Sequence, residues 1–449
     1  MRSDRWALAQ NSDDDGRELH QKARQDQAPS NGWQNVRDPD PGFDNVVLDW
    51  NQIALDAIRH ASITNPPEDA PYVSRALAMQ SIAMFDVLQA INNQPGFLVN
   101  VKAPTGISAD AAVSAAAHEI LVELFPDYKH ALDRAYEARL DEIHDGRAED
   151  RGVAFGTKVA DAVIAARAHD GSEELAHLGL VAGHEPGEYR PTPPDYTLAI
   201  QPDWGDVKPF VLASADQFRP GPPPDVTSAE YAADFKQVKL LGDVNSSVRT
   251  PEQTLSALWW SNDEDSYTRV GQWSDIADHI LAEQGRSPLE SAYLLTMLNV
   301  GLADAVTACW ETKYHYEAWR PVTAIHEAGE DGNRATRADA DWLPLLPATP
   351  DHPEYTSGHS VIGALAAKVM TDFFGPIPFS ATSETVPDVV LRFDNFDMAA
   401  REEAMSRIYA GVHFAYSTEA GLVMGSQVGD VVLNAFQKFD IPAGDGHLV

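Results

Sequence analysis

Cysteine is nearly missing from this chain: Cys309 stands alone among 449 residues. A single thiol excludes an intramolecular disulfide framework and any multi-cysteine zinc or iron-sulfur site. Its expected role is that of a small buried hydrophobe. One cysteine suits a reducing compartment and an exported bacterial protein equally. Basic residues are scarce as well, with 33 Lys and Arg against 68 Asp and Glu, a formal charge of -35 and a pI near 4.6. Such a surface repels nucleic-acid phosphates and anionic membranes, so neither is an expected partner. A small anion is a different matter, because a local cluster of Lys and Arg reverses the potential inside a cleft whatever the total charge.

Long apolar runs are lacking too. No stretch of about 18 or more apolar residues occurs, so no transmembrane helix is expected. The start, Met1-Arg2-Ser3-Asp4-Arg5-Trp6, lacks the apolar core of a signal peptide. Ala7-Leu8-Ala9 before Gln10 nevertheless has the form of a cleavage site, as a start placed too far downstream would leave. The compartment therefore stays open, with export allowed.

What is present is a globular composition, 44% hydrophobic and 22% charged, in a chain long enough to bury a real core. Residues 1–42 read as a polar lead-in rich in Asp, Gln and Pro, disordered or irregular. From about Val46 helical spacing takes over, with helices expected near 46–58, 72–92, 108–125, 128–144 and 151–169. A Pro-rich irregular segment follows from about 171 to 226. Its aromatic residues (Tyr189, Tyr196, Trp204, Phe210, Phe218) predict packing over the helices rather than a free linker.

Helices resume from about 227. Ser287-Pro288-Leu289-Glu290 combines an N-cap, Pro in the first turn and Glu three residues on, opening a helix that runs toward Lys313 and ends before Pro321. Another starts at Ser357 to Ser360 and stops at Gly375-Pro376, and a last one spans about 399–438 with a break near Gly411. Strand patterns are rare, and no repeat at a fixed period is visible. The expected fold class is all-α: two four-helix-bundle-like units, with 43–226 as an N-terminal region and 227–449 as a C-terminal catalytic region.

Three short motifs carry the chemistry. Lys313 and Arg320-Pro321 form K-x6-R-P; seven residues are nearly two helical turns, which would put both cations on one helix face. Their neighbours Cys309, Trp310, Tyr314, Tyr316 and Trp319 are too apolar for an ordinary solvated face. Ser357-Gly358-His359 opens an apolar helix, where free N–H groups, a hydroxyl and a small glycine suit an anion. Ser406-Arg407 followed by His413 forms S-R-x5-H; the Arg and His lie about 120° apart on an ideal helix, so they converge only through a distortion near Gly411. Each motif alone is explicable as ordinary structure: a charged face, an N-cap, a core histidine.

Their order and spacing together resemble the signature of the type 2 phosphatidic acid phosphatase/vanadium haloperoxidase superfamily, in its soluble bacterial branch. A looser likeness extends over most of the chain, through stretches such as Arg190-Pro191-Thr192-Pro193-Pro194. The resemblance implies an all-helical oxyanion site in which Lys313, Arg320, Arg407, Ser357 and Gly358 hold vanadate or, in the same pocket, phosphate. It implies that His413 is the metal ligand, that His359 is the acid or base, and that Lys313 polarises peroxide. The expected activity is oxidation of halide by hydrogen peroxide, with iodide or bromide favoured over chloride and a small organic acceptor downstream; a homo-oligomer is admitted. With phosphate bound, the same residues would make a soluble acid phosphatase in which His413 attacks phosphorus.

Trp310 matches a halide-site Trp of the fungal chloroperoxidases. His352 matches a position that is His in algal bromoperoxidases and Phe in the fungal enzymes. Two departures stand out: Thr356 replaces the usual Pro, and Ser417 stands where many relatives have Asp, which questions what orients His413 and leaves an idle anion-binding scaffold as a third reading. The acidic loop with Asp331, Asn333, Asp339 and Asp341 is not a full EF-hand and reads as a solvated turn. His315 and His326 have no recognisable ligand partner.

Overall fold

Side-chain N-caps at Ser108, Ser228, Thr250, Ser287, Ser357 and Asn395 open six helices in the computed structural model, which describes residues 45–64, 70–144, 146–172, 182–262, 266–439 and 441. The lead-in of 1–42, the Ala7-Leu8-Ala9 motif and part of the Pro-rich segment (173–181) lie outside these residues. Thirteen α-helices are described. The first five are α1 (Val46–Thr64), α2 (Ala70–Ile91), α3 (Ala109–Leu124), α4 (Lys129–Asp141) and α5 (Arg147–Arg167). After the irregular segment come α6 (Ala229–Leu241), α7 (Pro251–Trp259), α8 (Thr268–Glu283), α9 (Pro288–Tyr316) and α10 (Pro321–Glu327). The last are α11 (Gly358–Phe374), α12 (Phe396–Tyr409) and α13 (Ala415–Phe436). Among the described residues strands are confined to one antiparallel pair, β1 (Phe379–Ala381) and β2 (Leu391–Phe393), with Phe379 opposite Phe393. The all-α class holds.

The 29-residue α9 is the axis of the molecule. It begins with the expected capping box, in which the Ser287 hydroxyl accepts from the Glu290 N–H while Glu290 accepts from the Ser287 N–H. Its length and composition would let it cross a membrane, but 94% of its apolar window is buried inside the protein, so packed helices stand where a bilayer would. α9 packs against α2, which joins α3 and α5 in a first bundle; the same α9 packs against α11 and α13, which with α12 form a second. The two bundles share a helix. Burying each Leu or Val of this axis stabilises the fold by roughly 1.5–3 kcal/mol, which is why so few of its positions are polar.

The Pro-rich segment is strapped onto α9 as expected. Asp304 accepts the N–H groups of Phe210, Val211 and Leu212 at 2.6, 2.7 and 2.8 Å. The Tyr316 hydroxyl donates to Pro220 O at 2.7 Å and the Tyr355 hydroxyl to Gly221 O at 2.9 Å. Tyr189 and Trp204 are buried, whereas Tyr196 is an exception at 63% exposed.

Glycine permits the closest helix contacts. On α13, a Cβ at Gly421 would lie 2.8 Å from Ser357 O, and one at Gly425 would lie 2.1 Å from Val361 O. The first turn of α11 is thereby pressed against α13. The expected break at Gly411 is also present: its φ is 82°, and α12 ends at Tyr409 before α13 begins at Ala415.

Candidate oxyanion site

The first motif converges by a route other than the one its spacing suggested. Lys313 and Arg320 do not share a helix face. α9 stops at Tyr316, Glu317 adopts a left-handed φ of 47°, and Arg320 is the N-cap residue of α10. A β-branched or bulky residue would be strained there, yet the turn is what aims both cations at the loop before α11. Lys313 Nζ donates to Pro353 O at 2.9 Å, Glu354 O at 3.1 Å and Thr356 O at 2.5 Å. Arg320 donates through Nε to His352 O at 2.9 Å and through Nη2 to Pro350 O at 3.1 Å.

Ser357 caps α11 with extended φ/ψ of -66° and 116°, its hydroxyl accepting from the Ser360 N–H. A Cβ at Gly358 would meet only the Trp310 ring, 3.9 Å away, so the helix N-terminus faces open space bounded by that indole. Trp310 is buried, and its ring centroid is 4.9 Å from that of His352. Both halide-site candidates therefore stand side by side at the same wall. His352 is 3% exposed rather than solvated, and its Nδ1 accepts from Arg320 Nη2 at 3.0 Å.

His413 lies in the linker between α12 and α13, where the break near Gly411 brings it back toward Arg320. Its Nε2 is 3.2 Å from Arg320 Nη1, and its Nδ1 is 2.8 Å from Glu354 Oε1. The Arg320 guanidinium only donates, so Nε2 keeps its lone pair and Nδ1 carries the proton toward Glu354, whose carboxyl burial pushes above the usual range. His359 Nε2 donates to Trp260 O at 3.0 Å, which leaves Nδ1 as its acceptor. Burial, reinforced by nearby cations, holds the imidazoles of His352, His359 and His413 well below the usual histidine range. All three are neutral at pH 7.

Arg407, at the end of α12, is 1% exposed, and its charge acts on His359, His413 and Glu403. Burial pushes the Lys313 ammonium down to about 7, and Glu354 pulls the other way. Buried Lys313, Arg320, Arg407 and Arg269 lie near the buried acids Glu354 and Glu403, and a small anion among them would offset costly buried positive charge. The residues present thus fit a small oxyanion: forked and point-like cationic donors, a helix N-terminus and a neutral imidazole lone pair.

Two participants were not legible as motifs. Glu354 occupies a loop with no carboxylate signal at family spacing, and its role emerges only when α11 and the α12–α13 linker pack together. Arg269 on α8 is buried, and its charge acts on Lys313, Arg320, His352 and His359 from more than forty residues away in sequence. Other expectations settle plainly. Cys309 is buried beside Thr356, and Ser417 is buried with its hydroxyl 3.5 Å from His413 Nδ1. Asp331 is buried rather than solvated and organises its turn by accepting from the Asn333 N–H and the Thr336 hydroxyl. No group of three or more His, Cys, Asp or Glu suited to a metal occurs among the described residues. His315 is exposed, and His326 bonds Trp342 O at 2.7 Å.

The fold is all-helical, and its cluster of buried cations, histidines and a helix N-terminus fits a small oxyanion. Residues 293–440 match the family described as VCPO second helical-bundle domain. The vanadium chloroperoxidase of Curvularia inaequalis is 23% identical over 504 aligned positions, covering 86% of this chain and 81% of that protein. Among solved structures, a bacterial vanadium-dependent iodoperoxidase superposes with a TM-score of 0.77 at 26% identity, covering 86% of this chain and 96% of the other. The holo form of a bacterial vanadium-dependent chloroperoxidase superposes at 0.67 with 18% identity, covering 84% and 94%, a likeness of fold. Together these likenesses support placing the chain in the vanadium haloperoxidase superfamily.

Proposed function

We propose that this protein is a vanadium-dependent haloperoxidase that oxidises iodide or bromide with hydrogen peroxide and passes the hypohalous equivalent to a small organic acceptor. The observation that carries the proposal is His413: a neutral imidazole with Nδ1–H fixed by Glu354 and its Nε2 lone pair beside Arg320. Vanadate, when bound, supplies the Lewis-acid centre at which peroxide becomes reactive toward halide. Lys313, Arg320 and Arg407 would hold its charge, the arginines through forked donors, with the Ser357 hydroxyl and the Gly358 N–H adding neutral ones. An arriving oxyanion would also restore the Lys313 ammonium that burial disfavours, keeping it as a donor. His359, with Nδ1 as acceptor, would take a proton from incoming peroxide. Trp310 and His352 would form a polarisable wall for the halide, and the likeness to the iodoperoxidase supports the larger, softer ions.

The test is direct. The protein is loaded with orthovanadate and supplied with peroxide, iodide or bromide and a halogen acceptor, while a vanadate-free sample receives an aryl phosphate. Vanadate-dependent halogenation is the expected result. Phosphate release without halogenation would make the protein a phosphatase, and silence in both arms would leave only a binding scaffold.

A further inference from the structure

The absent carboxylate at Ser417 poses a physical problem. A histidine offering Nε2 to an anion-bound centre needs a partner at Nδ1 to fix its ring and tautomer. The Ser417 hydroxyl, 3.5 Å from Nδ1, is at the limit of a hydrogen bond and carries no charge. Glu354 Oε1 is at 2.8 Å from the same nitrogen and also accepts the Phe414 N–H at 3.0 Å. Glu354 is itself fixed at both ends of its backbone: its N–H donates to Ala318 O at 2.9 Å, and its carbonyl accepts from Lys313 Nζ at 3.1 Å. Both side chains are essentially sealed from water, with Glu354 0% and His413 2% exposed.

The second carboxylate oxygen makes the point sharper. Glu354 Oε2 is buried without a hydrogen-bond partner. Leaving such an atom unsatisfied is costly, a penalty that an apolar side chain would avoid if shape alone mattered. We propose that Glu354 is the positioning residue for His413, a carboxylate supplied from the loop before α11 in place of the one missing at 417, which holds the Nδ1–H tautomer and turns Nε2 toward the oxyanion pocket. Because its carbonyl also receives Lys313, Glu354 ties the first and third motifs to the loop that carries the second.

This deepens the haloperoxidase reading and rests on it for the identity of the anion. The experiment compares native protein with Glu354→Gln, Glu354→Ala and Glu354→Ala/Ser417→Asp, each checked for folding by circular dichroism and thermal melting. Orthovanadate affinity is measured by titration calorimetry. The His413 tautomer is read from nitrogen-15 NMR of histidine-labelled protein, the signal being assigned by its loss in His413→Ala. Removing such a partner weakens metal affinity about 10–100-fold, so Glu354→Gln is expected near the lower end and Glu354→Ala near the upper. Glu354→Ala should also lose the single-tautomer signal.

Asp at 417 should restore both affinity and tautomer, which no purely structural role of Glu354 predicts. Unchanged affinity and spectrum in the near-isosteric Glu354→Gln and in Glu354→Ala would overturn the proposal. So would a loss in Glu354→Ala that Ser417→Asp fails to rescue. The haloperoxidase reading fails separately: if native protein shows no vanadate-dependent halogenation while the tautomer still shifts in Glu354→Ala, the positioning role stands and the assigned reaction does not.

Discussion

The helix pair α3/α5 of the first bundle and the pair α11/α13 of the second are built on one plan. In each, a serine caps the earlier helix: Ser108 with φ/ψ of -75° and 123°, Ser357 with -66° and 116°. In each, two glycines four apart on the later helix lie against that helix's first turns. Gly152 meets Ser108 O and Gly156 meets Ala112 O and Ala115 Cβ, just as Gly421 meets Ser357 O and Gly425 meets Val361 O and Ala364 Cβ. The critical approaches, at Gly156 and Gly425, are both 2.1 Å. The chemistry differs entirely. Where the second pair reads Ser357-Gly358-His359 and is ringed by Lys313, Arg320 and Arg407, the first reads Ser108-Ala109-Asp110. A capped helix N-terminus in close packing is thus architecture in one bundle and a candidate anion site in the other, and the side chains brought from outside the pair make the difference.

The largest expected effect falls on the second pair alone. His413→Ala should abolish retention of vanadium through gel filtration, measured by metal analysis, whereas Ala109→Gly/Asp110→His in the first pair should create no retention, because the cation beside it, Arg151, is exposed and already bonded to Gly106 O. Vanadium retained by His413→Ala would remove the ligand assignment.

The glycine pairs come next. Gly156→Ala and Gly425→Ala each force a methyl into a backbone carbonyl, an overpacking that costs about 1–3 kcal/mol and occasionally more. Thermal melting should drop by similar amounts in the two, but only Gly425→Ala should weaken vanadate binding. Equal losses of binding would mean that the pairs are not mechanically separate.

The caps provide a smaller contrast. Ser108→Ala and Ser357→Ala should each lose about 1 kcal/mol of stability by denaturant titration, and only the second should also lower vanadate affinity.

The last contrast is one of pH. Burial pushes the Glu403 carboxyl, packed against Gly363 of α11, up to about 8, from an ordinary 4.5. The folded state therefore holds a proton that the unfolded state has released between pH 4.5 and about 8, so stability falls as pH rises through that window. Glu403→Gln should flatten this slope in melting experiments. Asp278 on α8, also raised to about 8 by burial, has the same sign and should leave a residual slope. A slope unaltered by Glu403→Gln would place the proton elsewhere.

What could be read in the sequence was what is local. The capping box at Ser287, the stop at Gly375-Pro376 and the break at Gly411 are written in adjacent residues, because hydrogen bonds at helix ends reach only three or four positions. The three motifs named the cations and histidines of the site for a related reason: helix termini and turns fix where a side chain departs from the backbone. The route by which Lys313 and Arg320 meet was misread as one helical face, since the left-handed Glu317 carries no glycine or asparagine signal.

The rest belonged to tertiary structure alone. Glu354 and His413 are fifty-nine residues apart, and Arg269 is farther still from His352 and His359; the likeness between the two helix pairs resides in backbone contacts that no fixed-period repeat records. Sequence by itself determined many of the helices, several of their caps and a list of candidate anion-binding side chains. Only packing decided that a glutamate from one loop would face a histidine in another, because long-range contacts depend on how helices approach, and that approach is set by small residues and shape.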